Sequence, residues 1–282
     1  MSREARSGGF GSSGSLGVVA SLSMIAVGLV ILVGAIWFGV TSGAAYALPL
    51  VPKHWDSQLG EYAMKSMISD ENPCAGSDME AWLRDVGPLL VEQVEGEPFE
   101  YQWFVIDDET PNAFALPGGW VGVHRGLFAI AQRPEEVASV VAHEIIHAEN
   151  RHGTARILGS VGTSLVMGLI FGGTDLAMFA DKGMQLLMLK HSRSQEEEAD
   201  AQGLMLMERA GIDPEGMATM FEALGAAAPK SGTLPAWFST HPDSQARAAE
   251  ARSGRRIRPT TELPKLPSAQ CTERSTREAP EQ

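Results

Sequence analysis

The side chains best placed for chemistry are His143, Glu144 and His147, set in the apolar run Val137-Ala138-Ser139-Val140-Val141-Ala142-His143-Glu144-Ile145-Ile146-His147. Residues four apart on a helix project from one side, so both imidazoles can reach one metal ion while Glu144 faces the adjoining position. Neutral imidazole is a preferred zinc ligand at about 2.0–2.1 Å, and a carboxylate beside an open coordination position can take a proton from an activated water. That pattern points to metal-assisted hydrolysis. The bland alternative, core-helix polar residues satisfied by hydrogen bonds, buries two histidines and a carboxylate together, which is costly without a compensating metal or network. Two histidines do not hold a catalytic zinc alone, so a third protein ligand is required.

The stretch His191-Ser192-Arg193-Ser194-Gln195-Glu196-Glu197-Glu198-Ala199-Asp200 offers it. With Ser194 as cap, Glu196 and Asp200 lie four apart on one helix face. Glu196 can complete the metal set while Asp200 accepts a hydrogen bond from the free ring nitrogen of a ligand histidine. Glu197 and Glu198 read as a solvated face. Downstream, Ser239-Thr240-His241-Pro242 opens a segment carrying Arg247. A histidine there is usually structural, yet His241 or Arg247 could serve a developing oxyanion.

These residues must be positioned by the elements around them. Leu59, Met64, Met67 and Ile68 are spaced like a helix, and Asp78 could cap a second one running to Val94. Strand-like segments at 101–106, 112–116 and 120–123, separated by a turn at 107–111 and by Pro117-Gly118-Gly119, predict a small sheet. It directly precedes the metal-site helix, expected from Pro134 to about Gly153. The apolar stretch 157–171 is too short for a confident membrane span and reads as core or partner-facing packing; a Met-rich helical pattern continues over 176–189.

Ahead of this domain, residues 1–15 are Ser/Gly-rich and expected disordered, and 16–40 is apolar, uncharged and long enough to span a bilayer. Trp37 and Tyr46 fall where an interfacial belt would sit. A cleavable signal peptide competes with an uncleaved anchor, because Ala45-Tyr46-Ala47 resembles a cleavage site. Arg3 and Arg6 precede the span and Lys53 follows it, which leaves the bulk of the chain outside the cytoplasm, on the periplasmic side in a bacterium. The formal net charge of −13 disfavours nucleic acid, and the run Arg255-Arg256-Ile257-Arg258 reads as the flank of a solvated tail. Cys74 and Cys271 lack metal-ligand spacing; they are either a disulfide or two free thiols. The expected organisation is a disordered 1–15, an anchor at 16–40, a catalytic domain over 53–252 and a flexible tail over 253–282.

Four ordered motifs resemble membrane-associated zinc endopeptidases of metallopeptidase family M48. They are Asn112-Ala113-Phe114-Ala115-Leu116-Pro117-Gly118-Gly119, His143-Glu144-Ile145-Ile146-His147, Ser192-Arg193 with Glu196 and Asp200, and Thr240-His241-Pro242 with Arg247. The resemblance covers roughly 56–252. It implies an α+β, mostly helical, gluzincin-type domain with a small β-sheet beside the active-site helix. It also implies one zinc ion on His143, His147 and Glu196, Glu144 as general base, and auxiliary roles for Asn112, His241 and Arg247. The segment from Asn112 through Ala113, Phe114 and Ala115 to Leu116 would be an edge strand binding extended peptide by main-chain pairing. In some members the histidine before proline approaches the metal and holds the enzyme inactive. One departure is His191, where the family often has an aromatic residue. The expected function is hydrolysis of unfolded or misassembled membrane and envelope proteins. The competing readings are a zinc-containing, membrane-anchored assembly factor with latent protease activity, and a multi-span prenyl-protein protease that the single convincing span disfavours.

Overall fold

The computed structural model describes residues 48–67, 74–160, 190–227 and 258–271, with Trp237, His241, Arg247, Ala251 and individual positions between Leu22 and Phe38. The stretch 161–189, most of 1–47 and the C-terminal 272–282 lie outside the described residues, so the apolar and Met-rich segments expected over 157–171 and 176–189 fall almost wholly there. Among the described residues no helix is long and apolar enough to cross a membrane. The positions described within 16–40 are helical, and their apolar side chains, such as Ile25, Ile31 and Phe38, are exposed.

The described elements are mostly helical with one small mixed sheet. In chain order they are α1 (Lys53–Met67), α2 (Asp78–Val91), β1 (Gln102–Ile106), β2 (Ala113–Leu116), β3 (Trp120–His124), α3 (Arg125–Ile130), α4 (Pro134–Glu149), α5 (Arg193–Arg209) and α6 (Glu215–Ala226). The sheet runs β1-β3-β2, with β1 parallel to β3 and β2 antiparallel to it. Antiparallel pairing of β2 and β3 needs a tight reversal, which Gly118 and Gly119 provide at φ 77° and 91°, a region costly for residues with a Cβ. With β1 on the far side of β3, β2 is left at a sheet edge, with its inner residues against α4.

Helix α4 is the centre of the core, buried on every side from Glu136 to Ala148. Val137, Val141, Ala142 and Ile145 pack among residues of α2, the sheet, α5 and α6. Its start is set by Pro134, which loses no useful N–H in a first turn, and by the Glu136 carboxylate, which accepts from the Gln132 backbone at 2.7 Å. The helix was expected to continue to Gly153 but stops at Glu149. Arg151 occupies the left-handed region at φ 54°, and helix resumes over 152–160. What holds this unfavourable conformation is the buried Asp56 of α1, which accepts from Arg151 Nη2 at 2.6 Å and Nε at 3.2 Å and from the Thr154 hydroxyl.

Three other expectations need correcting. Ser77 rather than Asp78 caps α2, its hydroxyl accepting from the Glu80 backbone N–H at 3.3 Å, and the helix ends at Val91 rather than Val94. For α5 the cap is Ser192, not Ser194: Ser192 Oγ accepts from Gln195 N at 3.3 Å and the Gln195 side chain returns to Ser192 N at 3.0 Å, a reciprocal box that Ser194 cannot make from inside the helix. The tail expected flexible over 253–282 includes a stretch, 258–271, that straps the core. Thr260 and Thr261 donate backbone N–H groups to Gly211, Trp82 Nε1 donates to the Pro264 carbonyl at 3.0 Å, Leu263 is buried, and Cys271 is bonded to Cys74. Proline lacks a ladder N–H but leaves a carbonyl for a neighbour to use, as Pro264 does for Trp82.

Candidate metal centre

His143 and His147 project from one side of α4 as their spacing requires, and α5 brings Glu196 to meet them. The two helices approach closely because α5 carries Gly203 opposite them: a Cβ there would lie 3.3 Å from the His143 backbone nitrogen. His143, Glu144, His147, Glu196 and His241 are all buried. His143 Nε2 lies 2.9 Å from His147 Nε2, 3.3 Å from His241 Nδ1 and 3.6 Å from Glu196 Oε2. Glu196 Oε1 lies 3.3 Å from His147 Nε2 and 3.0 Å from His241 Nδ1. Ligands of a tetrahedral zinc at about 2.0–2.1 Å sit about 3.3 Å from one another, so these donor atoms outline the corners of such a site.

Proton accounting leads to the same fit. Asp200 Oδ1 lies 2.9 Å from His143 Nδ1 and accepts its proton, which leaves Nε2 with a lone pair. His147 Nδ1 faces His152 Nδ1 at 2.7 Å, and donation there leaves the His147 Nε2 lone pair facing that of His143. Two lone pairs and a carboxylate converging in a dry pocket repel one another unless a cation lies among them. His143, His147, Glu196 and His241 together could hold a metal ion.

Burial raises the pKa of Glu144, against the opposing charges of His241 and His143. Neither of its oxygens has a hydrogen-bond partner of good geometry among the described residues, although the Ala115 backbone of β2 lies near enough to lower the pKa slightly. For Glu196 burial alone would raise the pKa, but His241, His147 and His143 outweigh it and hold the carboxylate ionised. Burial also raises Asp200, and hydrogen bonds from His143 and Arg247 bring it back below the usual range. His147 is pushed well below the ordinary histidine value, first by burial and then by His143, which keeps it in the neutral, ligating form.

Arg247, expected near an oxyanion, is engaged with two carboxylates. Its Nε and Nη2 take both oxygens of Asp200 at 2.5 and 2.7 Å, and Nη1 takes Glu196 Oε2 at 2.7 Å. All three nitrogens face carboxylates, so the guanidinium orients Glu196 and the Asp200 that partners His143. His241 likewise points Nδ1 into the donor cluster, with Nε2 3.5 Å from Glu144 Oε1. The Trp237 ring stacks on it at 4.1 Å and that of His191 at 5.2 Å. His191 thus fills the place of an aromatic residue by acting as one: burial keeps it neutral, and Arg156 Nη2 sits 3.2 Å from its Nε2. Asn112 is buried at the start of β2, its Oδ1 unpartnered among the described residues.

Three residues escaped the sequence reading. His152 orients His147, Glu198 lies 3.5 Å from His152 Nε2 instead of belonging only to a solvated face, and Trp237 backs His241. His152, five residues after His147, was legible only as part of the same helix. The break at Arg151 is what turns its ring back towards the site.

A buried helix with two histidines and a glutamate, completed by a carboxylate from a second helix, defines a metallopeptidase site of the His-Glu-x-x-His kind. The profile of Peptidase family M48 matches residues 77–255, and the chain belongs to that family. It is similar to the mitochondrial metalloendopeptidase OMA1 of Schizosaccharomyces pombe, 37% identical over 153 residues, which is 52% of this chain and 44% of that protein. It is also similar to the beta-barrel assembly-enhancing protease of Escherichia coli, 29% identical over 211 residues, 70% of this chain and 43% of that protein. The metalloprotease LoiP of Escherichia coli is 30% identical over 184 residues, 63% of this chain and 71% of that protein. The chain spans less than half the length of the first two. Family and relatives together support a metalloendopeptidase hydrolase.

Proposed function

We propose that this chain is a membrane-anchored zinc endopeptidase that hydrolyses extended segments of unfolded or misassembled membrane and envelope proteins. The observation that carries the reading is the convergence of His143 Nε2, His147 Nε2 and the Glu196 carboxylate beside a buried Glu144 whose oxygens have no hydrogen-bond partner of good geometry among the described residues. A zinc ion in that donor set supplies Lewis acidity towards a water and a peptide carbonyl. Glu144 takes the proton of the attacking water and returns it to the leaving amine. Asp200 fixes the His143 tautomer, Arg247 holds Glu196 and Asp200 in place, and the edge of β2 from Ala113 to Ala115 pairs with substrate backbone, with Asn112 at its end.

A second reading concerns the resting state. His241 Nδ1 takes the fourth corner of the donor set, which favours a latent enzyme or an assembly factor that opens only when His241 withdraws. For location, the exposed apolar positions within 16–40 support an anchor, and the Cys74–Cys271 disulfide fits an oxidising, extracytoplasmic compartment. The test is Glu144→Gln. It should keep zinc, measured by elemental analysis, and lose digestion of casein; full digestion by the zinc-loaded variant would remove Glu144 as the base.

A further inference from the structure

Helix α1 has three faces. Asp56, Gly60 and Ala63 are turned inward: a Cβ on Gly60 would strike the Pro117 carbonyl and Trp120, and Ala63 packs with Phe104, Phe114 and Leu116. His54, Glu61 and Lys65 form a charged face, exposed to water. Beside the buried face, about a quarter turn round the helix, Trp55, Leu59 and Tyr62 fall at i, i+4 and i+7 in a single stripe. Trp55 is 58% and Tyr62 59% exposed, and Leu50, in the turn leading into α1, is 81% exposed. Large apolar side chains displayed together mark an interaction surface. Tryptophan and tyrosine, with an apolar ring and one polar atom, are the side chains that settle at the boundary between headgroups and acyl chains. In sequence the stripe follows the apolar segment 16–40, whose described side chains are themselves exposed.

We propose that the Trp55, Leu59 and Tyr62 face of α1 lies in the interfacial layer of a lipid bilayer, and that this holds the substrate strand beside the membrane. The proposal rests on the anchor reading of 16–40, and continuity with that segment is what selects lipid over a protein partner. α1 is rigidly joined to the machinery. Asp56 grips Arg151 and Thr154 just past the zinc-ligand helix, and Gly118, in the turn that ends β2, packs on the backbone of Ser57. The stripe lies about a quarter turn from the face that packs on the sheet, so the edge of β2 is held beside the bilayer surface. The substrates this favours are extended loops and termini emerging at the membrane surface, in preference to chains free in solution.

The test uses the full chain in phosphatidylcholine vesicles whose acyl chains are brominated near the headgroup end. The difference in fluorescence between wild type and Trp55→Phe isolates one tryptophan of the six. That component should lose most of its intensity in brominated relative to plain vesicles. A double variant, Trp55→Ser with Tyr62→Ser, should cleave soluble casein at the wild-type rate and a bilayer-tethered peptide more slowly. Flotation of the same vesicles reports on the anchor independently. Protein that floats with Trp55 unquenched overturns the docking of α1 and leaves the anchor standing; protein that fails to float overturns both. Equal rates of wild type and double variant on the tethered peptide overturn the assignment of substrates.

Discussion

Arg247 separates two roles that the same residue type could play. Its guanidinium is buried, with three nitrogens 2.5–2.7 Å from oxygens of Asp200 and Glu196. Lysine in its place keeps a positive charge but, as a point charge on a flexible stem, cannot hold two carboxylates in a planar fork. If Arg247 is a positioning residue, Arg247→Lys lets Glu196 and Asp200 drift, and the cost falls on metal binding. Losing such an outer partner weakens a metal about 10–100-fold, roughly 1.4–2.7 kcal/mol. If Arg247 instead serves an oxyanion, zinc affinity holds while kcat drops about 10²–10³-fold. Competition with a chromogenic chelator measures the zinc Kd, and kcat and KM on a quenched peptide are then taken at saturating zinc, with thermal unfolding as the check that the variant folds. The expected result is a zinc Kd raised by about tenfold or more, with kcat largely restored once the site is saturated. An unchanged Kd with a collapsed kcat would refute the positioning role.

Three further outcomes follow from the same contacts. His241→Ala should raise peptide turnover while keeping bound zinc, because the fourth corner is released; slower turnover at full zinc content would remove the latent reading and make His241 a participant in catalysis. Cys271→Ser should lower the unfolding midpoint by the equivalent of up to about 5 kcal/mol in the loop-entropy model, since the disulfide spans 197 residues, and should increase amide exchange along 258–271. Burial foremost pushes His124, His147, His152 and His191 below their ordinary pKa, so the unfolded chain takes up protons that the folded, metal-free chain does not. Stability from these groups is complete above about pH 6.5 and falls below it, by up to about 1.4 kcal/mol per pH unit for each histidine. A urea midpoint of chelator-treated protein that stays level on acidification through that range would contradict it.

By itself the sequence determined whatever depends on helical and strand periodicity. His143 and His147 share a face because they are four apart, Glu196 and Asp200 share another for the same reason, and the glycines at 118 and 119 permit the reversal between β2 and β3. Local backbone geometry needs no partner to be legible. Tertiary structure decided how those faces meet and which way each polar atom points. The sequence offered His241 and Arg247 as helpers of an oxyanion; packing sets His241 Nδ1 beside His143 and Glu196 and places Arg247 against two carboxylates. Ser192 displaced Ser194 as a cap because only Ser192 stands outside the first turn, and Arg151 sits at the break after α4 because Asp56, 95 residues earlier, holds it there. Such choices hang on contacts between residues far apart in the chain, where desolvation leaves each buried donor or charge needing a partner that spacing alone does not specify.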